Sequence, residues 1–209
     1  AYVATDARID RQILHAMLQQ AVDQSFNAIT VDGDTSTNDA CVLIATGQAR
    51  VSIDQGHGEF IDALNEVFRS LAQAIVRDGE GATKFVEIIV QDAANREDAR
   101  QLAYTIAHSP LVKTALFASD ANWGRILAAI GRAELSRLDI ERVRLYLGDV
   151  CLIDKGLPDP GYSEDKGQKE VAKQDILIRV DLGLGNADAT IWTTDLSYDY
   201  VKINAEYRS

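Results

Sequence analysis

An α/β or α+β fold is predicted by three features of the 209-residue chain. Stretches with apolar residues at helical spacing alternate with short β-prone runs. Glycine, proline and polar clusters fall between these stretches rather than inside them. The apolar fraction, 46%, is enough for a buried core in a chain of this length. We find no internal repeat and no low-complexity segment.

Tyr2 and Val3 read as strand or core material that begins abruptly, which suggests a processed fragment. Asp10 is placed to cap a helix over 10–24, whose apolar face is Ile13, Leu14, Met17, Leu18, Ala21 and Val22. His15 lies beside that face with no second ligand near it in sequence. A strand over 28–31 is expected next, then the wholly polar or glycine bend 32–39, then a strand over 40–45. Such a bend is either a well-capped turn or a way of presenting side chains to a ligand. Asp32, Asp34, Ser36 and Asn38 alternate as calcium-loop ligands do, but Thr37 and Leu43 occupy the places that need Gly and a bidentate Glu, so a calcium loop is excluded.

Gly56-His57-Gly58 precedes a long helix over 59–76, with Phe60, Leu64, Val67, Phe68, Leu71 and Ile75 as its apolar face. It stops at Arg77-Asp-Gly-Glu-Gly-Ala-Thr-Lys84, and a strand over 85–90 follows. Glycines on both sides of Glu80 free the backbone and admit a close neighbour. Two readings stay open: a glycine helix stop with a solvated Glu, or a carboxylate on a tight turn facing a cationic group.

A helix over 96–108 leads to Ser109-Pro110, a cap followed by proline at the first helical position. The next helix carries Leu111, Val112, Ala115 and Leu116, with Lys113 and Thr114 expected at its surface. Asp120-Ala-Asn-Trp-Gly-Arg125 opens another, burying Ile126, Leu127 and Ile130, with Arg125 available to one of the many carboxylates. The texture changes after Gly131. Strands are expected over 143–147, 150–153, 176–182 and 189–194, with a polar segment over 155–168, a short charged helix over 164–173, and a tail of strand or helical turn. The division expected is a core layer over 1–135 and a smaller lobe over 136–209.

A formal net charge of −11 argues against nucleic acid, because phosphate binding needs a basic footprint. No apolar run approaches the roughly 18 residues of a membrane span, and the N-terminus carries no basic region leading into an apolar stretch. Cys41 and Cys151 make no disulfide framework, so a reducing cytoplasm is expected. No phosphate-binding loop, dinucleotide fingerprint, metal-ligand spacing or nucleophile elbow is present; Gly183-Leu-Gly185 lacks the third glycine and reads as a turn.

Five segments in order along the chain resemble the β subunit of the ornithine acetyltransferase (glutamate N-acetyltransferase) family of arginine biosynthesis. They are Ser25-Phe-Asn-Ala-Ile-Thr-Val-Asp-Gly-Asp-Thr-Ser-Thr-Asn-Asp39, Asp78-Gly-Glu-Gly-Ala-Thr-Lys84, Ser109-Pro-Leu-Val-Lys-Thr-Ala115, Asp120-Ala-Asn-Trp-Gly-Arg-Ile126 and Lys202-Ile-Asn-Ala-Glu-Tyr-Arg-Ser209. The resemblance implies a layered helix–sheet sandwich completed by an α chain from the same self-cleaving precursor, in an α2β2 assembly. It also implies acetyl transfer from N-acetylornithine to glutamate through a threonine acyl-enzyme, in some members with acetyl-CoA as well, and no cofactor or metal. The nucleophilic threonine is expected just upstream of Ala1; Thr5, internal and without a free amine, is no substitute. Matched by position, Glu80, Asn204 and Ser209 are the expected substrate-binding residues, Ser209 standing where the family has Thr. The bend 32–39, Lys113, Asn122 and Arg125 are assigned structural or supporting roles. A related self-processing amidase or aminopeptidase, and a non-catalytic amino-acid-binding homologue, are the competing expectations.

Overall fold

The computed structural model describes residues 1–207. The chain forms two compact units: one holds residues 1–29 and 34–75, the other residues 30–33 with the chain from Val76 onward. The change of texture near residue 135 falls inside the second unit.

In the first unit, strand β1 (Tyr2–Thr5) and β2 (Arg8–Ile9) precede helix α1 (Arg11–Asp23), and β3 (Val42–Ala45) and β4 (Ser52–Ile53) precede α2 (Gly58–Arg77), whose last two residues belong to the second unit. Two small parallel pairings, β1 with β3 and β2 with β4, hold the strands. The expected cap is present: Asp10 Oδ1 accepts from the Gln12 N–H at 2.8 Å. Met17, Ala21, Leu43, Ile53, Leu64 and Phe68 form the core, with the Phe26 ring edge-on to Phe68.

Two expectations need correction here. No strand spans 28–31. The Ser25 hydroxyl donates to Ala21 O and Ala28 N–H returns to Ser25 O, so the chain curls into a 3₁₀ turn over Phe26–Ala28 before it can extend. The buried face of α2 is also narrower than its periodicity implied. Leu64, Phe68, Ala72 and Val76, four residues apart, are buried, whereas Val67, Leu71 and Ile75 are 45, 39 and 50% exposed. A second exposed apolar patch covers the outer face of the β1–β3 pair, where Tyr2 and Ile44 stand.

The second unit is built on a six-stranded sheet: β5 (Phe85–Ala93), β6 (Arg144–Leu147), β7 (Val150–Asp154), β8 (Leu157–Pro158), β9 (Asp175–Asp181) and β10 (Ala187–Thr194), ordered β10-β5-β9-β6-β7-β8. Only the β5–β9 pair is parallel. Helices α3 (Arg96–Ala107), α4 (Pro110–Phe117), α5 (Trp123–Gly131), α6 (Glu164–Val171) and α7 (Tyr198–Glu206) complete it, and the tail is helical over Tyr198–Glu206. Val86, Ile88, Val90, Leu102, Ile106, Leu145, Ile178 and Ile191 are buried in its core. Ser109 caps α4 from the position the sequence indicated, accepting from Val112 N–H, with Pro110 following. Among the described residues Arg125 meets no carboxylate. Its guanidinium donates to Leu111 O at 2.8 Å and to the Thr114 hydroxyl at 3.2 Å, tying α5 to α4.

Lys113 is not at the surface. It is 4% exposed, and its ammonium donates to Thr194 O at 2.5 Å and to the Thr193 hydroxyl at 3.0 Å. Helix α4, Pro-Leu-Val-Lys-Thr-Ala-Leu-Phe, carries no other charge, and its packing takes the lysine inside. Burial lowers the ammonium pKa to about 8, against the opposing pull of the Asp195 and Asp32 carboxylates.

Two measurable consequences follow from this joint. Asp195 accepts from Thr83 N–H, the Thr83 hydroxyl and Lys84 N–H at 2.8, 2.6 and 2.9 Å. Asp195→Ala leaves two backbone donors and a buried ammonium under-compensated, and should lower stability by about 2–4 kcal/mol, read from the urea midpoint. For Lys113 the folded pKa, about 8, lies below the unfolded value. Between the two, the unfolded chain holds a proton that the folded chain has released, so stability rises with pH across that window. Relative to Lys113→Met, the native chain should therefore gain up to about 3 kcal/mol as pH is raised from about 8 to about 10.4. A difference that stays flat with pH would show the ammonium to be unperturbed.

Candidate functional site

The turn between α2 and β5 is fixed at both ends. On entry, Arg77 forms a two-pronged ion pair with Asp175 at 2.6 and 2.8 Å and stacks over Phe85, its guanidinium 3.8 Å from the ring centre. On exit, Asp195 holds the backbone of Thr83 and Lys84, and the Lys84 ammonium donates to the terminal carbonyls of α6, Val171, Ala172 and Lys173, at 3.1, 3.2 and 2.9 Å. Glu80 sits at the crest of this turn, exposed.

The two flanking glycines have different work. Gly81 has φ +65°, and a Cβ there would stand 2.4 Å from Tyr200 N and 2.9 Å from the Ser197 hydroxyl. The close neighbour that Gly81 admits is thus the first turn of α7. A Cβ on Gly79 would meet Val76 O at 3.1 Å and Val31 and Thr194 methyls at 3.4 Å, a milder crowding.

Helix α7 is laid on the turn by Ser197, whose hydroxyl donates to Gly81 O at 2.6 Å while accepting from Tyr200 N–H at 3.1 Å. One turn further on, Asn204 Nδ2 donates to Glu80 Oε2 at 2.9 Å and to Tyr200 O at 3.0 Å. Glu80 and Asn204, 124 residues apart in sequence, are brought together. Ser209 lies outside the described residues.

The polar bend contributes too. Tyr200 donates its phenol hydrogen to Asp32 Oδ2 at 2.8 Å. Asp32 rides on the segment Thr30–Gly33, where Thr30 N–H donates to Trp192 O at 3.0 Å and the Thr30 hydroxyl accepts from Gly33 N–H. The His108 ring lies 3.2 Å from that hydroxyl through Nε2 and stacks against Tyr104. Asp34 to Asp39 belong to the other unit and are exposed. Asn122, assigned a supporting role, precedes α5 and donates to Asp120 Oδ2 at 3.1 Å.

Chemically, the arrangement presents an exposed carboxylate with an amide beside it, on a turn that neighbouring elements prevent from moving. It suits the binding of a cationic group by charge-assisted hydrogen bonds. The sequence pointed to Glu80 and, through the resemblance, to Asn204. It missed Asp195, Ser197 and Tyr200, because each acts across 112 or more residues on a partner no local pattern reveals, and it gave Lys113 a supporting role but placed it at the surface. The solitary charge in apolar α4 was the one available signal. Among the described residues no three His, Cys, Asp or Glu side chains converge as metal ligands, and no helix is long and apolar enough to cross a membrane.

Comparison with known proteins adds an independent line. The arginine biosynthesis bifunctional protein ArgJ of Pseudomonas fluorescens is 51% identical over 213 residues, covering all of this chain and 53% of that protein. The protein of the same name from Methylococcus capsulatus is 54% identical, over all of this chain and 52% of its own length. The chain therefore spans about half the length of the curated relatives it matches. A crystal structure of arginine biosynthesis bifunctional protein argJ from Bacillus halodurans superposes with a TM-score of 0.93 at 41% identity, covering 99% of this chain and 98% of that one. The ArgJ family description matches residues 1–209, and the chain belongs to the ArgJ family.

Proposed function

We propose that this chain is the β chain of an arginine-biosynthesis acyltransferase that moves an acetyl group from N-acetylornithine to glutamate. The observation that carries the reading is the meeting of Glu80 and Asn204 at 2.9 Å on a pinned turn, within a chain matched end to end by the family. An amino-acid substrate brings an ammonium and a carboxylate. Glu80 accepts from the ammonium, and Asn204, held beside it, orients the Glu80 carboxylate and contacts the substrate. Ser209 is assigned to the same site by the resemblance alone.

The acyl carrier is a threonine expected just upstream of Ala1, within a few residues of it, freed when the precursor cuts itself. Its α-amine takes the hydroxyl proton as the oxygen attacks the acetyl carbonyl. An oxyanion hole on the α chain holds the tetrahedral intermediate, which collapses to acyl-threonine as the α-ammonium gives that proton to the leaving nitrogen and ornithine departs. The glutamate amine then attacks the ester, giving up a proton to the α-amine, which passes it to the departing threonine oxygen as N-acetylglutamate leaves. The relatives are named bifunctional, and acetyl-CoA as an alternative acetyl donor is the second activity we propose.

The α chain of the same precursor is the partner, in an assembly of two αβ pairs within the cytoplasm. The exposed apolar stripe Val67, Leu71 and Ile75 and the outer face at Tyr2 and Ile44 support a covering partner.

Three outcomes test this reading. In the full-length protein, Glu80→Gln should cost about 1.5–3 kcal/mol in kcat/KM for N-acetylornithine, the range of a hydrogen bond to a charged group. Asn204→Ala and Ser209→Ala should each cost about 0.5–1.5 kcal/mol. Unaltered kcat/KM in Glu80→Gln would remove Glu80 from the site. Double-reciprocal plots for N-acetylornithine and glutamate should be parallel; intersecting lines would count against a covalent intermediate. Finally, the isolated chain should not refold to a cooperative monomer, and a sharp concentration-independent melt of the chain alone would sink the partner.

A further inference from the structure

Helix α7 carries Asn204 to Glu80, yet it has no buried residue of its own. Val201 and Tyr198 are 57 and 82% exposed, with the Tyr198 ring edge-on to Phe117. A nine-residue helix without a buried face is not held in place by the hydrophobic effect, and such a short helix is marginal alone. Its orientation therefore depends on polar pins. Ser197 fixes the first residue but leaves the helix able to pivot about that end. Asn204 lies at the far end, where a small rotation at Ser197 becomes the largest displacement.

The pin that resists this rotation is Tyr200. It stands four residues before Asn204, on the same face of the helix. Its phenol donates to Asp32 Oδ2 at 2.8 Å, and its own carbonyl accepts from Asn204 Nδ2 at 3.0 Å. Asp32 is a rigid anchor, because Thr30 is bonded to Trp192 in β10 and Gly33 lies over the His108 ring, where a Cβ would stand 3.6 Å from the imidazole Cδ2. The result is one hydrogen-bonded line, Asp32–Tyr200–Asn204–Glu80, joining the polar bend to the Gly-Glu-Gly turn.

We propose that Tyr200, anchored on Asp32, is a positioning residue that sets substrate affinity by holding Asn204 against Glu80, without touching substrate itself. The proposal rests on Glu80 and Asn204 forming the amino-acid site. A loosened Asn204 weakens ground-state and transition-state binding alike, so the effect belongs in KM rather than kcat.

The test uses the full-length protein with N-acetylornithine. Tyr200→Phe keeps the ring and removes only the donor; KM should rise about three- to fivefold, no more than the loss in Asn204→Ala, with kcat within about twofold. Asp32→Ala should reproduce this rise, and the double variant should be no worse than the worse single one. Asp32→Asn, which keeps an acceptor oxygen, should recover most of what Asp32→Ala loses. A purely structural bond would instead lower the melting temperature and leave KM alone. Unchanged KM in Tyr200→Phe and Asp32→Ala, with Glu80→Gln impaired, overturns the positioning role and leaves the site reading intact. Unchanged KM in all three overturns both. Should Tyr200→Phe fail to fold, the comparison of Asp32→Ala with Asp32→Asn decides alone: equal KM values overturn the proposal.

Discussion

The contacts of Asp195 are the constraint on which the second unit turns. One carboxylate receives two consecutive backbone N–H groups and a hydroxyl from the 83–84 strand entry, and it belongs to a segment whose preceding residues hold the buried Lys113 ammonium. Burying a lysine is unfavourable by itself, as its lowered pKa records. The cost is offset by the Thr193 hydroxyl, the Thr194 carbonyl and the nearby carboxylates. What the molecule gains is position. Helix α4, the end of β10 and the entry to β5 are locked to one another, and the turn bearing Glu80 is hung from that lock.

This division between a stiff base and a lightly held helix makes physical sense for a binding site. Glu80 is an exposed carboxylate, and an exposed charge interacts weakly unless its geometry is fixed beforehand. The Arg77–Asp175 pair, the Phe85 stack and the Lys84 contacts to α6 remove that freedom before any ligand arrives. Helix α7, by contrast, touches the turn through hydrogen bonds that can break singly. On the proposed reading of this site, affinity is set at α7 without disturbing the core beneath.

Much of this was legible in the sequence wherever the physics is local. The caps at Asp10 and Ser109, the helix stop at Gly79 and the strand that follows Lys84 are decided by neighbouring residues, and the structure has them where the sequence put them. The short strands β2 and β4 were not legible, because two residues carry no period and exist only by pairing across 44 positions. The strand expected over 28–31 failed for the opposite reason. Its β-prone residues lost to a local competitor, the Ser25 hydroxyl bonded back to α1.

The site divides along the same line. Glu80 could be singled out because glycine on both flanks is a local mark, and at Gly81 the neighbour a Cβ would meet is the first turn of α7. Asp32 stood in the conspicuous polar bend, yet nothing in that bend distinguishes it from Asp34 or Asp39. Only the fold does, by assigning Thr30–Gly33 to one unit and the remaining bend residues to the other. A run of polar residues that reads as one loop is thus divided between two compact units, and Asp32, in the Thr30–Gly33 piece, joins the line that ends at Glu80.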